Sequence, residues 1–151
     1  MSEVGFYHLQ RTGLDRALPK LLEKALERGL RVVVRAGSDE RVEALNAALW
    51  VYEPDSFLPH GAKADGFPAE QPVYLTADPA DNPNGARMLV LVDGTAASDV
   101  ANFERVLDLF DGNDTEAVEA ARVRWRSLQA GGHTLTYWQQ TDAGGWEKKG
   151  T

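Results

Sequence analysis

Arginines concentrate in one short segment near the end of an otherwise acidic chain. Between residues 93 and 120 the sequence has eight acidic residues and one basic residue, whereas 121–130 has three arginines and no acid. At about 100° per residue, Arg122 and Arg126 share one face of a helix. Two guanidinium groups on one face can hold a carboxylate through paired hydrogen bonds.

The surroundings of these arginines favour a ligand that is partly apolar. Val118 and Trp125 are predicted to flank the arginine face, and Arg124 falls on another side of the helix. This surface suits a carboxylate attached to an apolar group, such as a chain terminus that ends in a hydrophobic residue. Two alternatives stay open. The arginines are solvated and favoured by the helix dipole, or they bind phosphate, which the net charge and the small number of arginines disfavour.

No catalytic or metal-binding motif stands out elsewhere. The histidines His8, His60 and His133 lack the spacing of metal ligands, and no serine lies in a Gly-x-Ser-x-Gly motif. The turn after the first predicted strand has no Gly-x-Gly-x-x-Gly, and no Walker-type Gly-Lys-Ser is present. We therefore assign no catalytic residue, metal or cofactor. An α/β nucleotide-binding protein or enzyme with an unrecognised site remains the alternative.

The elements that position these residues follow from the hydrophobic pattern. Short apolar runs predict strands over 4–9, 31–36, 73–76, 88–92 and 134–139. Helical spacing predicts helices over 14–28, 39–50, 100–110 and 114–130. Alternating strands and helices are typical of βαβ units. We expect a single three-layer α/β domain with a mostly parallel central sheet, Rossmann-like but without a phosphate-binding glycine loop.

Two segments interrupt this pattern. The connection 51–72 is rich in proline, and the aromatic residues Trp50, Phe57 and His60 and the proline Pro59 lie in or beside it. Such residues either cover a sheet edge or form a protein-binding patch, and both alternatives stay open. At the other end, we expect the domain to span 1–142 and 143–151 to be a flexible tail.

Composition limits the class of protein. The chain has 151 residues, a net charge of −7 and no cysteine. An acidic chain of this kind is a poor general DNA coat, and the missing cysteines exclude a disulfide framework and thiolate zinc. No signal peptide or membrane span is predicted.

Several blocks of the sequence are distinctive. They are Phe6-Tyr7-His8-Leu9, Ala48-Leu49-Trp50, Ser56-Phe57-Leu58-Pro59-His60-Gly61, Phe103 to Phe110, Arg122-Val123-Arg124-Trp125-Arg126, and Ala130-Gly131-Gly132-His133-Thr134-Leu135 to Trp138. These blocks resemble the chi subunit of bacterial DNA polymerase III holoenzyme. The order and spacing of the blocks together carry the resemblance, which covers nearly the whole chain.

The resemblance implies a non-catalytic accessory protein that links the clamp loader to single-stranded DNA-binding protein (SSB). It implies that the acidic SSB C-terminal tail, which ends in Pro-Phe, binds the last helix. Carried over by motif, this tail site comprises Phe110, Val118, Arg122, Arg124, Trp125 and Arg126. DNA would be contacted only indirectly, through SSB.

The resemblance also implies a second partner, the psi subunit of the clamp loader or a repair helicase. Its interface would be Trp50, Phe57, Pro59 and His60. The protein is accordingly expected in the bacterial cytoplasm at the replication fork, with no membrane partner.

Overall fold

The chain folds into an eight-stranded sheet with helices on both faces. The computed structural model describes residues 2–10, 12–51, 60–143 and 145–150. The strands are β1 (Glu3–Leu9), β2 (Val32–Arg35), β3 (Gly61–Ala62), β4 (Val73–Thr76), β5 (Met88–Leu91), β6 (Arg105–Asp111), β7 (Thr134–Gln140) and β8 (Trp146–Gly150). The helices are α1 (Leu14–Glu27), α2 (Asp39–Val51) and α3 (Thr115–Ala130).

The strand order is β3-β4-β2-β5-β6-β1-β7-β8, and every pairing is parallel except β7 with β8. The chain passes from β1 to β2 in one direction across the sheet and from β6 to β7 in the other. Right-handed crossovers therefore place α1 and α3 on opposite faces. Helix α2 packs beside α1. The predicted three-layer α/β fold is confirmed.

Two hydrophobic clusters form the core, one on each face of the sheet. In β1, Tyr7 and Leu9 belong to the cluster under α1 and α2, whereas Val4 and Phe6 belong to the cluster under α3. The three valines of β2 are fully buried and divide between the two clusters in the same way. A strand covered on both faces has no polar side, which is why it appears in the sequence as a continuous apolar run.

The helix predicted over 100–110 is wrong. A 3₁₀ turn spans Val100–Asn102, and Arg105–Asp111 forms strand β6 between β1 and β5. Apolar residues at i, i+3, i+4 and i+7 satisfied the helical pattern, but β6 is buried on both faces. Val106 and Phe110 face the α3 cluster, and Leu107 and Leu109 face the other cluster. Apolar residues on both faces conceal the period of two that identifies a strand.

Part of the segment 143–151, which the sequence predicts to be a flexible tail, forms a strand. Trp146–Gly150 forms β8, which pairs antiparallel with β7. The indole of Trp146 packs edge-on against the ring of Tyr7, with centroids 5.0 Å apart. The contact with a buried ring anchors a segment whose polar composition had indicated a flexible end.

In the proline-rich connection, β3 is followed by 3₁₀ turns at Lys63–Asp65 and Pro68–Glu70.

One buried ion pair ties the carboxyl end of β2 to the loop after β5. The Arg35 side chain is 1% exposed and donates to both carboxylate oxygens of Asp99, at 2.7 and 2.8 Å. It also donates to the carbonyl of Asp81 and lies 5.5 Å from the centre of the Phe103 ring. The hydrogen bonds that Arg35 donates to Asp99 hold the pKa of the Asp99 carboxyl below its usual value.

Candidate functional site

Helix α3 carries the predicted arginine face, and its ends are well defined. The Asp114 carboxylate caps the first turn by accepting from the backbone N–H groups of Glu116 and Ala117. The helix ends at Ala130, where the Gly131 N–H returns to the Ser127 carbonyl. The sequence-predicted helix is confirmed within one residue.

One side of α3 is held by the core. Val118, Ala121, Trp125 and Leu128 pack on the hydrophobic cluster under this helix. The Trp125 indole meets the Phe6 ring edge-on, with centroids 5.2 Å apart. Trp125 and Val118 thus serve mainly as packing residues that border the arginine face, with part of each side chain still accessible.

Arg122 and Arg126 lie on the solvent side of α3, and we call this pair the arginine stripe. The Arg122 side chain is 62% exposed and forms an ion pair with Glu119, one turn earlier, at 2.9 Å. An exposed pair of this kind contributes little stability and exchanges readily. Arg126 is also exposed and makes no ion pair with any residue that the structure describes. Both guanidinium groups are therefore accessible to an external carboxylate.

Arg124 has a different environment. Its Nε and Nη2 atoms donate to the two carboxylate oxygens of Asp108 in β6, at 2.6 and 2.9 Å. Burial raises the pKa of the Asp108 carboxyl, and the Arg124 guanidinium opposes that rise. The structure thus places Arg124 apart from the arginine stripe, in a bond that joins α3 to the sheet.

Phe110 is buried near the end of β6. It lies in a group with His8 and Tyr137, two residues that the sequence did not assign to the tail site. Its ring lies 5.2 Å from the His8 ring and 6.5 Å from the Phe6 ring. The Nδ1 atom of His8 is hydrogen-bonded to the Tyr137 hydroxyl. Burial raises the pKa of the Tyr137 phenol, and the charge of Arg122 opposes that rise. Phe110, His8 and Tyr137 thus form an aromatic group, and Arg122 lies near its Tyr137 side.

The signal for His8 and Tyr137 lies in strand register. His8 is opposite Phe110 in the pairing of β1 with β6, and Phe6 is opposite Tyr137 in the pairing of β1 with β7. Residues on neighbouring strands in register share a sheet face. Without β6 in the predicted sheet, this register was not accessible from the sequence.

A cleft of about 890 Å³ opens where β1 and β6 end, between the first turns of α1 and α3. We call it the carboxyl-edge cleft. Its lining includes four carboxylates, Asp93, Asp111, Asp114 and Glu116. Among the described residues of its lining, both arginines already have partners, because Arg41 pairs with Asp93 and Arg124 pairs with Asp108. The cleft lies at the carboxyl ends of the strands, where open α/β sheets bind ligands, but the charge of its described lining is unfavourable for phosphate.

Comparison with known proteins decides the family. The family model described as "DNA polymerase III chi subunit, HolC" matches residues 1–136. The chain belongs to the DNA polymerase III chi subunit family. The resemblance found in the sequence is confirmed, and the family is one of accessory subunits in DNA replication.

Individual relatives agree. A Rickettsia prowazekii protein named "Probable DNA polymerase III subunit chi" is 32% identical over 110 residues, covering 73% of this chain and 66% of that protein. The DNA polymerase III subunit chi of Pseudomonas aeruginosa is 27% identical over 139 residues, covering 89% and 94%. That of Escherichia coli strain K12 is 28% identical over 127 residues, covering 82% and 85%.

The second predicted chi interface is only partly within the described residues. Trp50, at the end of α2, is 54% exposed, and its ring centroid lies 4.5 Å from that of His60. His60 is buried, with Nε2 3.3 Å from the Asn46 carbonyl. Phe57 and Pro59 lie outside the described residues. The structure therefore brings two of the four predicted residues into ring contact.

The described residues lack both a metal-ligand cluster and a membrane-spanning helix. Within the ranges that the structure describes, no three histidine, aspartate or glutamate side chains are grouped as metal ligands. None of the helices in those ranges is long and apolar enough to cross a bilayer.

Proposed function

We propose that this chi-family chain is a non-catalytic adaptor that binds the acidic C-terminal tail of SSB and connects it to the clamp loader of DNA polymerase III. The observation that carries the proposal is the arginine stripe. Arg122 and Arg126 are exposed on one side of α3, and neither is held by a buried carboxylate. The tail's terminal carboxylate would take one guanidinium, and its aspartates would be attracted by the other.

The neighbouring aromatic group supplies a place for the terminal Phe of the tail. Its ring would lie against the accessible part of Val118, near Phe110, His8 and Tyr137. We assign Trp125 to the apolar border of the site. Arg124 acts as a positioning residue, because its guanidinium is bound to Asp108 and holds the helix in place.

The negative charge of the carboxyl-edge cleft also limits the direction in which the bound SSB tail can extend. The carboxyl-edge cleft, with its four carboxylates, would repel a tail that carries aspartates. The tail would therefore follow the arginine stripe away from the start of α3. Affinity for one tail should be micromolar, since a disordered peptide loses conformational entropy on binding. Several tails on one SSB oligomer would add avidity.

The test uses fluorescence anisotropy with a labelled peptide that ends in Asp-Asp-Ala-Ala-Pro-Phe. The double variant Arg122→Gln/Arg126→Gln should weaken binding about tenfold or more, and added salt should weaken it for the wild type. A peptide without the final Phe should also bind poorly. Lys24→Gln/Arg28→Gln, which removes the same charge from the opposite face of the sheet, is the matched control. Absence of wild-type binding, or equal losses in both variants, would overturn the proposal.

A second proposed interface is centred on Trp50. An indole that is 54% exposed and seated on a buried histidine is typical of an interface anchor, and the adjacent Val51 is 76% exposed. We assign this patch to the psi subunit or a repair helicase. Trp50→Ala should abolish capture of that partner while leaving tail-peptide binding intact. If Trp50→Ala instead leaves capture unchanged, the patch is not the partner site.

A further inference from the structure

A second basic surface lies on the face of the sheet opposite to α3. A cleft of about 570 Å³ runs between α1 and the strands β1, β7 and β8. We call it the basic–aromatic groove. Its aromatic residues are Tyr7, Trp138 and Trp146, and its cations are Lys20, Lys24, Arg28 and Arg105. Among the described residues that line it there is no carboxylate, although the chain as a whole has a net charge of −7. Glu3 lies beside the groove, opposite Arg105 in the pairing of β1 with β6.

The aromatic floor is built by strand register. Tyr7 is opposite Trp138 in the pairing of β1 with β7, and their rings are stacked at 7° with centroids 6.0 Å apart. Trp146 in β8 meets Tyr7 edge-on. Both tryptophans are only partly buried, because α1 does not extend over β7 and β8. The indole N–H of Trp138 is already donated to the Thr136 hydroxyl, so its accessible part is apolar.

The cations form a regular row along α1. Lys20, Lys24 and Arg28 follow one another at intervals of four residues, which corresponds to about 6 Å along a helix axis. All three are exposed at their tips. Glu23 precedes Lys24 and Glu27 precedes Arg28, so each glutamate lies about 100° round the helix from the neighbouring cation. Neither glutamate lines the groove. A repeated spacing of positive charge matches a ligand with repeated negative charge.

The hydrogen-bonding character of the groove identifies the ligand class. Lysine and arginine side chains are donors only, and tryptophan offers a single donor. The side chains that line the groove thus present almost no acceptors, apart from the Tyr7 hydroxyl. An acidic peptide would bring backbone N–H donors that find no side-chain partner here. A single-stranded nucleic acid brings phosphate acceptors and flat bases, which is the combination that basic grooves with aromatic side chains bind.

We propose that the basic–aromatic groove binds a short stretch of single-stranded DNA directly. Lys20, Lys24 and Arg28 would contact successive phosphates, and Trp138 or Trp146 would stack on a base. The row of cations spans about 12 Å, so two or three nucleotides would be covered. This site revises the expectation that DNA is contacted only through SSB. Net charge averages over the whole surface and does not reveal a local reversal on one face.

The experiment measures fluorescence anisotropy of labelled oligo(dT) of eight nucleotides at low salt, with the full chain. Lys24→Gln/Arg28→Gln should weaken binding and reduce the slope of log affinity against log salt by about 0.7 for each cation lost. Trp146→Leu should weaken binding about five- to one-hundredfold if a base stacks there. Thermal unfolding of each variant must first show that it is folded.

The matched control is Arg122→Gln/Arg126→Gln, which loses the same charge from the arginine stripe. It should keep oligo(dT) binding while losing the SSB-tail peptide, so the two proposals fail independently. Three results would overturn the DNA proposal. They are absence of oligo(dT) binding to the wild type, equal weakening by both double variants, and equal competition by an abasic strand or by an acidic peptide.

Discussion

Arg124 of α3 and Asp108 of β6 are joined by two hydrogen bonds from one guanidinium to one carboxylate, at 2.6 and 2.9 Å. The Arg124 side chain is 11% exposed and that of Asp108 is 2% exposed. Arg126, two residues further on, is exposed to solvent. Arginines that are almost adjacent in sequence therefore have different physical roles, one in holding the helix and one in offering charge.

Replacing Arg124 tests the structural role. Arg124→Met leaves the Asp108 carboxylate buried without its partner and should lower the free energy of unfolding by about 3–5 kcal/mol. The combined variant Asp108→Leu/Arg124→Met should recover much of that loss, since no unpaired charge remains. Urea denaturation measures both. Arg126→Met is the control and should change stability by less than about 0.5 kcal/mol. Equal effects of Arg124→Met and Arg126→Met would contradict this assignment.

A second prediction concerns Gly112, which lies against the His8 ring. A methyl group at this position would come within 1.7 Å of two ring atoms and 2.7 Å from the Leu9 carbonyl oxygen. Gly112→Ala should therefore displace His8 and cost about 1–3 kcal/mol by overpacking. Gly145→Ala is a suitable control, because its nearest atom would be 3.5 Å away. Chemical denaturation should separate the two variants clearly, and similar midpoints would show that the close approach is unimportant.

The third prediction is acid sensitivity from the Arg35–Asp99 pair. The pKa of Asp99 is lowered in the folded state by hydrogen bonds from Arg35. The unfolded chain therefore binds a proton at higher pH than the folded chain does. The stabilisation is fully present above the ordinary aspartate value, about 4, and is lost as the pH falls through the lower folded value. Asp99→Asn should be less stable at pH 7 and show a shallower loss of melting temperature below pH 4.5. A parallel pH dependence in wild type and variant would refute this.

Tyrosine ionisation provides the fourth prediction. Burial raises the pKa of Tyr7, Tyr74 and Tyr137 above the usual value of 10.0. A folded state that disfavours tyrosinate loses stability as the pH rises above about 10. Absorbance at 295 nm should show these phenols titrating later in the folded protein than in urea. Tyr137→Phe should remove one of the phenol titration steps seen at high pH in the folded protein. An unchanged titration curve would count against burial as the cause.

Local signals in the sequence were sufficient to predict helices α1, α2 and α3 and strands β1, β2, β4, β5 and β7. The Ser38 hydroxyl accepts from the Arg41 N–H at the start of α2, as a serine at a helix N-cap does. Gly29 ends α1 with a φ of +77°, the left-handed conformation that favours glycine. These features depend only on neighbours in the chain, so composition and spacing reveal them.

Features that depend on distant partners could not be predicted in the same way. The sequence of β6 matches a helical pattern because the strand is covered on both faces, which only the complete sheet determines. The role of Arg124 depends on Asp108, which is distant in sequence and lies in that missed strand. Segment β8 depends on Trp146 finding Tyr7, a contact across nearly the whole chain. In each case tertiary contacts decide what local propensity leaves open.

The antiparallel hairpin of β7 and β8 also determines how the molecule behaves in a crowded solution. An edge strand leaves one row of backbone groups unpaired and invites another chain to add to the sheet. At this edge β8 places Glu147, Lys148 and Lys149 in succession, and Lys149 pairs with Glu147 at 3.1 Å. The opposite edge is β3, which is only two residues long. In the part of the chain that the structure describes, one border is a charged strand and the other a very short one, so self-association through the sheet finds no long, uncharged edge there.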